Sequence, residues 1–141
     1  MRIDSSSSLL KYEEGFKECV YECTSGKKTI GYGWNIEDRP ITEGQASRIL
    51  EDHILEARFF LRRNIRNWET LSPVRKAVLV SMVFQLGPTG FMAFENTIGA
   101  IENSEWTKAS IEMLDSKWAR QTANRANRAA KMMRLDEWPA I

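Results

Sequence analysis

Glu14 and Thr29 stand on either side of a glycine-punctuated stretch that ends in Gly31-Tyr32-Gly33. A carboxylic acid can hand a proton to a leaving oxygen, and a hydroxyl can hold a water molecule in place. The pair reads as the two lips of a site for cutting a sugar chain. Between them, where such chemistry calls for a second carboxylate, the chain has Cys23. The same glycines also fit a plainer reading, as ordinary hairpin punctuation.

The elements that must position these groups follow from local residue chemistry. Phe16, Val20 and Tyr21 favour a strand, Thr24-Ser25-Gly26-Lys27 is a polar turn, and Thr29-Ile30 with Tyr32 resumes the extended pattern. Ahead of this hairpin, Ser5 to Ser8 offer caps for a short helix through Leu9, Leu10 and Tyr12, with Glu14 at its end and Gly15 just beyond. Behind it, Thr42 with Gln45 makes a capping-box pattern that predicts a long helix over about 42–63. Ala46, Ile49, Leu50, His53, Ile54, Ala57 and Leu61 form an apolar stripe along it. Ser72-Pro73 opens a helix that is apolar on nearly all sides and ends at Gly87-Pro88. Trp106, Met113, Leu114, Trp118, Met132, Met133 and Trp138 are expected to complete the packing.

Glu14-Gly15, Tyr21 and Thr29-Ile30-Gly31-Tyr32-Gly33 also form a family pattern. Together they resemble the catalytic hairpin of the T-even phage lysozymes and endolysins, the muramidases of glycoside hydrolase family 24. Further motifs continue the likeness in order: Ile41-Thr42; Met82 through Gly87 with Thr89-Gly90, Phe94 and Asn96; Ser116-Lys117-Trp118; Gln121-Thr122; and Asn124-Arg125-Ala126. The resemblance implies an α+β, mainly α fold. It would be one lysozyme-like domain over 1–141, with a small lobe of the N-terminal helix and about 13–41, a connecting helix of about 42–63 and a helical lobe of about 64–141. Bending along the connecting helix would open and close a cleft.

The resemblance also assigns roles. Glu14 matches the general acid and Thr29 the threonine that positions water, while the aspartate slot falls on Cys23, nine residues after Glu14 and six before Thr29. The histidine that follows Gly-x-Gly in the family is replaced by Trp34. Phe84 and Gln85 resemble a cleft-lining pair, with Thr97 near the same wall; Phe84 could equally belong to the core. Arg125 resembles the basic residue that faces the first helix, which implies a pairing with Glu13. The implied activity is hydrolysis of the β-1,4 bond between N-acetylmuramic acid and N-acetylglucosamine in bacterial peptidoglycan, by a monomeric phage endolysin. The alternative is a catalytically impaired wall-binding or regulatory protein on the same fold.

The thiol leaves three readings open. Cys23 as thiolate could take a proton from water or attack the anomeric carbon, although an ordinary thiol, with a pKa of about 8.5, is only a few per cent ionised near neutrality. Oxidised to a sulfinate it would mimic a carboxylate. As a neutral thiol it would leave Glu14 and Thr29 to slower catalysis, or leave only binding. A Cys19–Cys23 disulfide is excluded within a strand, since four residues at about 3.3 Å each exceed the roughly 7 Å that a bridge can span. With His53 the one histidine and no second cysteine pair, no metal site is expected, and no cofactor either.

Charge and composition narrow the rest. The 141 residues carry a net charge of +1, which conceals five basic residues and no acid from Arg120 to Arg134. That tract could meet an anionic wall polymer or simply form a solvated helix face, and no groove-reading motif supports nucleic acid. No apolar run approaches the ~18 residues of a membrane span. The serine-rich start lacks an apolar signal core, so synthesis in the host bacterial cytoplasm is expected, with a holin needed to reach the wall.

Overall fold

The computed structural model describes residues 2–141, which divide into two compact units, 2–48 and 49–141. In the first, α1 (Ser6–Glu14) is followed by a three-stranded antiparallel sheet of β1 (Phe16–Glu22), β2 (Lys28–Tyr32) and β3 (Trp34–Asn35) in sequential order. Helix α2 (Glu43–Asn64) starts in this unit and ends in the next. A 3-10 turn (Trp68–Thr70) and helices α3 (Pro73–Met92), α4 (Glu95–Glu102), α5 (Trp106–Leu114), α6 (Lys117–Gln121) and α7 (Ala123–Leu135) complete the second. The fold is α+β and mainly α, as expected.

Local hydrogen bonds set the boundaries of the first unit. The Ser5 hydroxyl accepts from the Ser8 backbone N–H and the Ser8 hydroxyl accepts from that of Ser5, so α1 starts on a reciprocal cap. Gly15, at φ +68°, ends α1 and sends the chain into β1. Phe16 faces Tyr32 across the sheet with ring centres 5.6 Å apart, and the Lys11 ammonium sits 5.6 Å from the centre of the Tyr32 ring. These contacts tie the last turn of α1 to the hairpin. Between Lys17 and Tyr21 the register of β1 slips against β2, an irregularity that the sequence pattern did not announce, and β3 is a further addition.

The second unit has a hydrophobic core. Leu61, Trp68, Val78, Leu79, Met82, Phe91, Ile101, Met113 and Met133 are all buried. Ser72 caps α3 and Pro73 occupies its first turn, as predicted. Gly87, at φ +76° and ψ 164°, breaks α3 where its end was expected, but the chain resumes helical geometry from Pro88 to Met92. Arg75 closes the far end of the core. Its Nε donates to the Met133 carbonyl at 2.8 Å, and its guanidinium stacks 3.9 Å from the centre of the Trp106 ring.

Three packing expectations are corrected. Only the C-terminal half of the α2 stripe is covered: Ala57 and Leu61 are buried, whereas Ile49 and Leu50 are exposed. Leu114 and Trp138 also face solvent instead of joining the core. Periodicity reports which side chains share a face of a helix, not how far along the helix that face is covered. The basic tract splits in the same way, with Arg128, Lys131 and Arg134 on the open face of α7 and Arg125 half-buried, donating to the Ser81 hydroxyl at 2.9 Å.

Candidate active site

Cys23 lies one residue past β1, at the start of the turn that links β1 to β2. Its N–H donates to the Lys27 carbonyl at 2.9 Å and its carbonyl accepts from the Gly26 N–H at 2.8 Å, with Gly26 at φ +78°. These bonds close the turn around the sulfur. Sγ lies 3.0 Å from the Ser25 hydroxyl. That hydroxyl, foremost, and then the backbone N–H groups of Lys27 and Ser25 and the Thr29 hydroxyl lower the thiol pKa to about 7. Cys23 is thus more ionised near neutrality than an ordinary thiol. Cys19, within β1, is exposed and Cys23 is half-buried, both as free thiols.

Thr29 is buried, and its hydroxyl donates to the Lys27 carbonyl at 3.0 Å. The hydroxyl has a single proton, so that bond competes with donation to the thiolate. Glu14 is exposed at the last position of α1, and its side chain reaches the backbone of Gly33. The hairpin thus brings Cys23 to Thr29, and the helix end brings Glu14 to the turn between β2 and β3. Tyr12, two residues before Glu14 on α1, is 64% exposed. Trp34 has its indole N–H donating to the Arg39 carbonyl at 2.8 Å and so fastens the segment after the sheet.

In the helical unit, Gln85 and Thr97 border one cavity of about 600 Å³, together with Phe94, Asn96, Asp115, Lys117 and Trp118. Thr97 is only 1% exposed. The Gln85 side-chain carbonyl accepts from the Trp118 indole at 2.8 Å, which leaves its NH2 group free for the cavity. Phe84 does not join them. Half-exposed, with its ring centre 6.0 Å from that of His53, it borders two other hollows. Adjacent residues on a helix are ~100° apart, so Phe84 and Gln85 face different ways. Two contributors were not singled out from sequence: Ser25 and the Trp118 donor. A hydroxyl two residues after a cysteine in a glycine-bearing turn was the available sign for Ser25.

Residues 11–134 match the phage lysozyme family. This chain belongs to that family. Among curated relatives, the probable T4-type lysozyme 2 of Dictyostelium discoideum is 31% identical, with 89% of this chain and 91% of the relative aligned. The probable T4-type lysozyme 1 of the same organism is 28% identical over 93% of this chain and 94% of its own length. An endolysin of Acyrthosiphon pisum secondary endosymbiont phage 1 is 29% identical over 82% and 78%. Among the described residues no group of His, Cys, Asp and Glu could hold a metal ion, and no single helix is long and apolar enough to cross a membrane.

Proposed function

We propose that this member of the phage lysozyme family is a muramidase that hydrolyses the β-1,4 bond between N-acetylmuramic acid and N-acetylglucosamine in peptidoglycan, with a thiolate in place of the second carboxylate. The observation that carries the reading is the turn around Cys23, where Ser25 and backbone N–H groups hold the thiol at a pKa of about 7. A group of that basicity can take a proton from water at neutral pH, as a carboxylate base does in an inverting glycosidase. Glu14 gives its proton to the leaving oxygen, and the glycosidic C–O bond breaks. Water held by Thr29 adds at the anomeric carbon and loses its proton to the Cys23 sulfur. Exchange with solvent then returns both groups to their starting states. Gln85 would supply a donor to the bound glycan or its peptide, with Thr97 behind it and Phe84 on a separate face.

The endolysin among the relatives supports a role in host lysis, with the protein made in the bacterial cytoplasm and released to the wall by a holin. The test is the clearing rate of purified peptidoglycan by the reduced protein beside Glu14→Gln, Cys23→Ser and Cys23→Asp. Clearing by the unaltered chain and Cys23→Asp, with loss in the other two, is the expected result. Clearing by Cys23→Asp alone would make the natural chain a wall binder and overturn the reading. The anomer released, read by NMR, separates Cys23 as base, which inverts, from Cys23 as nucleophile, which retains.

A further inference from the structure

We propose that Gly33 is a positioning residue, the seat against which the Glu14 carboxyl group is held; the inference rests on reading Glu14 as the acid. Gly31 and Gly33 share the same φ, +66°. Their surroundings differ. A methyl group built at Gly31 meets nothing within 4 Å, as is also true at Gly15, Gly26 and Gly87. Built at Gly33, it would run into Glu14 Oε2 and lie 2.6 Å from Cδ and 3.0 Å from Cγ. The space that the absent side chain leaves is filled by the carboxyl group itself.

Two further contacts act on the same element. Lys11 over the Tyr32 ring holds α1 to β2, and the Ile30–Trp34 pairing of β2 with β3 fixes the tight turn in which Gly33 sits. Glu14 lies on the end of a flexible, exposed side chain. A methyl at position 33 would displace the carboxyl group and leave the backbone where it is, so the consequence falls on chemistry and not on the fold. Misplacing a reacting group by about 1 Å can cost on the order of 100-fold in rate.

Gly31→Ala is the control for Gly33→Ala, because both place alanine at the same unfavourable φ and only one meets Glu14. The expected result is a kcat for Gly33→Ala about 100-fold below that of Gly31→Ala, with KM on soluble glycan fragments and melting temperature matched between the two. Equal kcat values would overturn the proposal. A second readout needs no turnover: the Glu14 13Cδ resonance, assigned through Glu14→Gln, should move in Gly33→Ala and stay in Gly31→Ala. In the unaltered protein, nuclear Overhauser contacts should join the Gly33 Hα and Glu14 Hγ protons, and their absence would overturn the seat even if Gly33→Ala failed to fold. An unaltered protein that clears no peptidoglycan would sink the muramidase reading while these NMR measurements still decide the seat.

Discussion

The two units solve the problem of holding a side chain in place by different means. Residues 49–141 surround a buried set of Leu, Ile, Val, Met, Phe and Trp side chains, so position is fixed by packing. Among residues 2–48 only Thr29 is buried. There, position is fixed by caps, tight turns and side-chain-to-backbone hydrogen bonds: Ser5 with Ser8, Cys23 with Lys27 and Gly26, and Thr29 with Lys27. Turns of this kind leave backbone N–H groups pointing outwards, where an anion can use them. The candidate chemistry sits where the packing is thinnest, and the thiol draws on groups that a hydrophobic core would have covered.

If that contrast is right, substitutions in the two units should fail in different assays. Glu14→Gln should cut the clearing rate by about 100- to 10,000-fold, the range for losing a general acid, and leave the urea midpoint where it was. Phe91→Ala should do the reverse at folding level. Phe91 is fully buried, and its truncation should cost about 3–5 kcal/mol, read as a fall in the urea midpoint. Val20→Ala in the exposed hairpin should change stability by no more than about 0.5 kcal/mol. A Glu14→Gln protein that unfolds, or a Val20→Ala protein destabilised like Phe91→Ala, would dissolve the contrast.

The pH dependence sharpens it further. Since the folded state lowers the Cys23 pKa to about 7, the thiolate fraction should rise across pH 7 and level off above, and a rate that also needs the proton of the general acid should rise with it and then pass through a maximum. Ser25→Ala removes the largest cause of that shift and should move the rising limb to higher pH. A displacement of one unit would lower the rate at pH 7 by about fivefold, the ratio of the two thiolate fractions. Cys23→Asp should remove this limb altogether. A limb unmoved by Ser25→Ala would assign it to another group.

What could be read from the sequence was what short-range bonding decides. The Ser5 cap, the Thr42–Gln45 box, the Ser72-Pro73 helix start and the hairpin ending at Gly33 all depend on residues within a few positions of one another. The fold class followed from the same signals together with the family pattern. The slip in β1, the partial cover of the α2 stripe and the exposure of Trp138 were not legible, because each depends on what lies opposite. The site shows the same division. Glu14, Cys23 and Thr29 were named through the family pattern, but the Cys23 pKa depends on where the Ser25 hydroxyl and the Lys27 N–H point. Phe84 and Gln85 were paired by the family resemblance, and helical rotation separates them.

A further pair of substitutions tests how a packed unit presents a polar group. Trp118 is held in the core by its ring, edge-on to Phe94 with centres 5.9 Å apart, and its indole N–H fixes the Gln85 carbonyl at 2.8 Å. Trp118→Phe removes the donor while keeping an aromatic ring there. Because the Gln85 side chain is exposed, water can replace the lost donor, and the hydrogen-bond part of the cost should be about 1 kcal/mol or less. Gln85→Leu removes the acceptor and leaves the indole of the buried Trp118 without a partner, so it should cost at least as much. The two substitutions combined should cost less than their sum, since they share one bond. On glycan fragments Trp118→Phe should raise KM with kcat little changed, because the amide is no longer oriented toward the cavity. An unchanged KM would remove Gln85 from the binding surface and confine its partnership with Trp118 to holding α3 against α6.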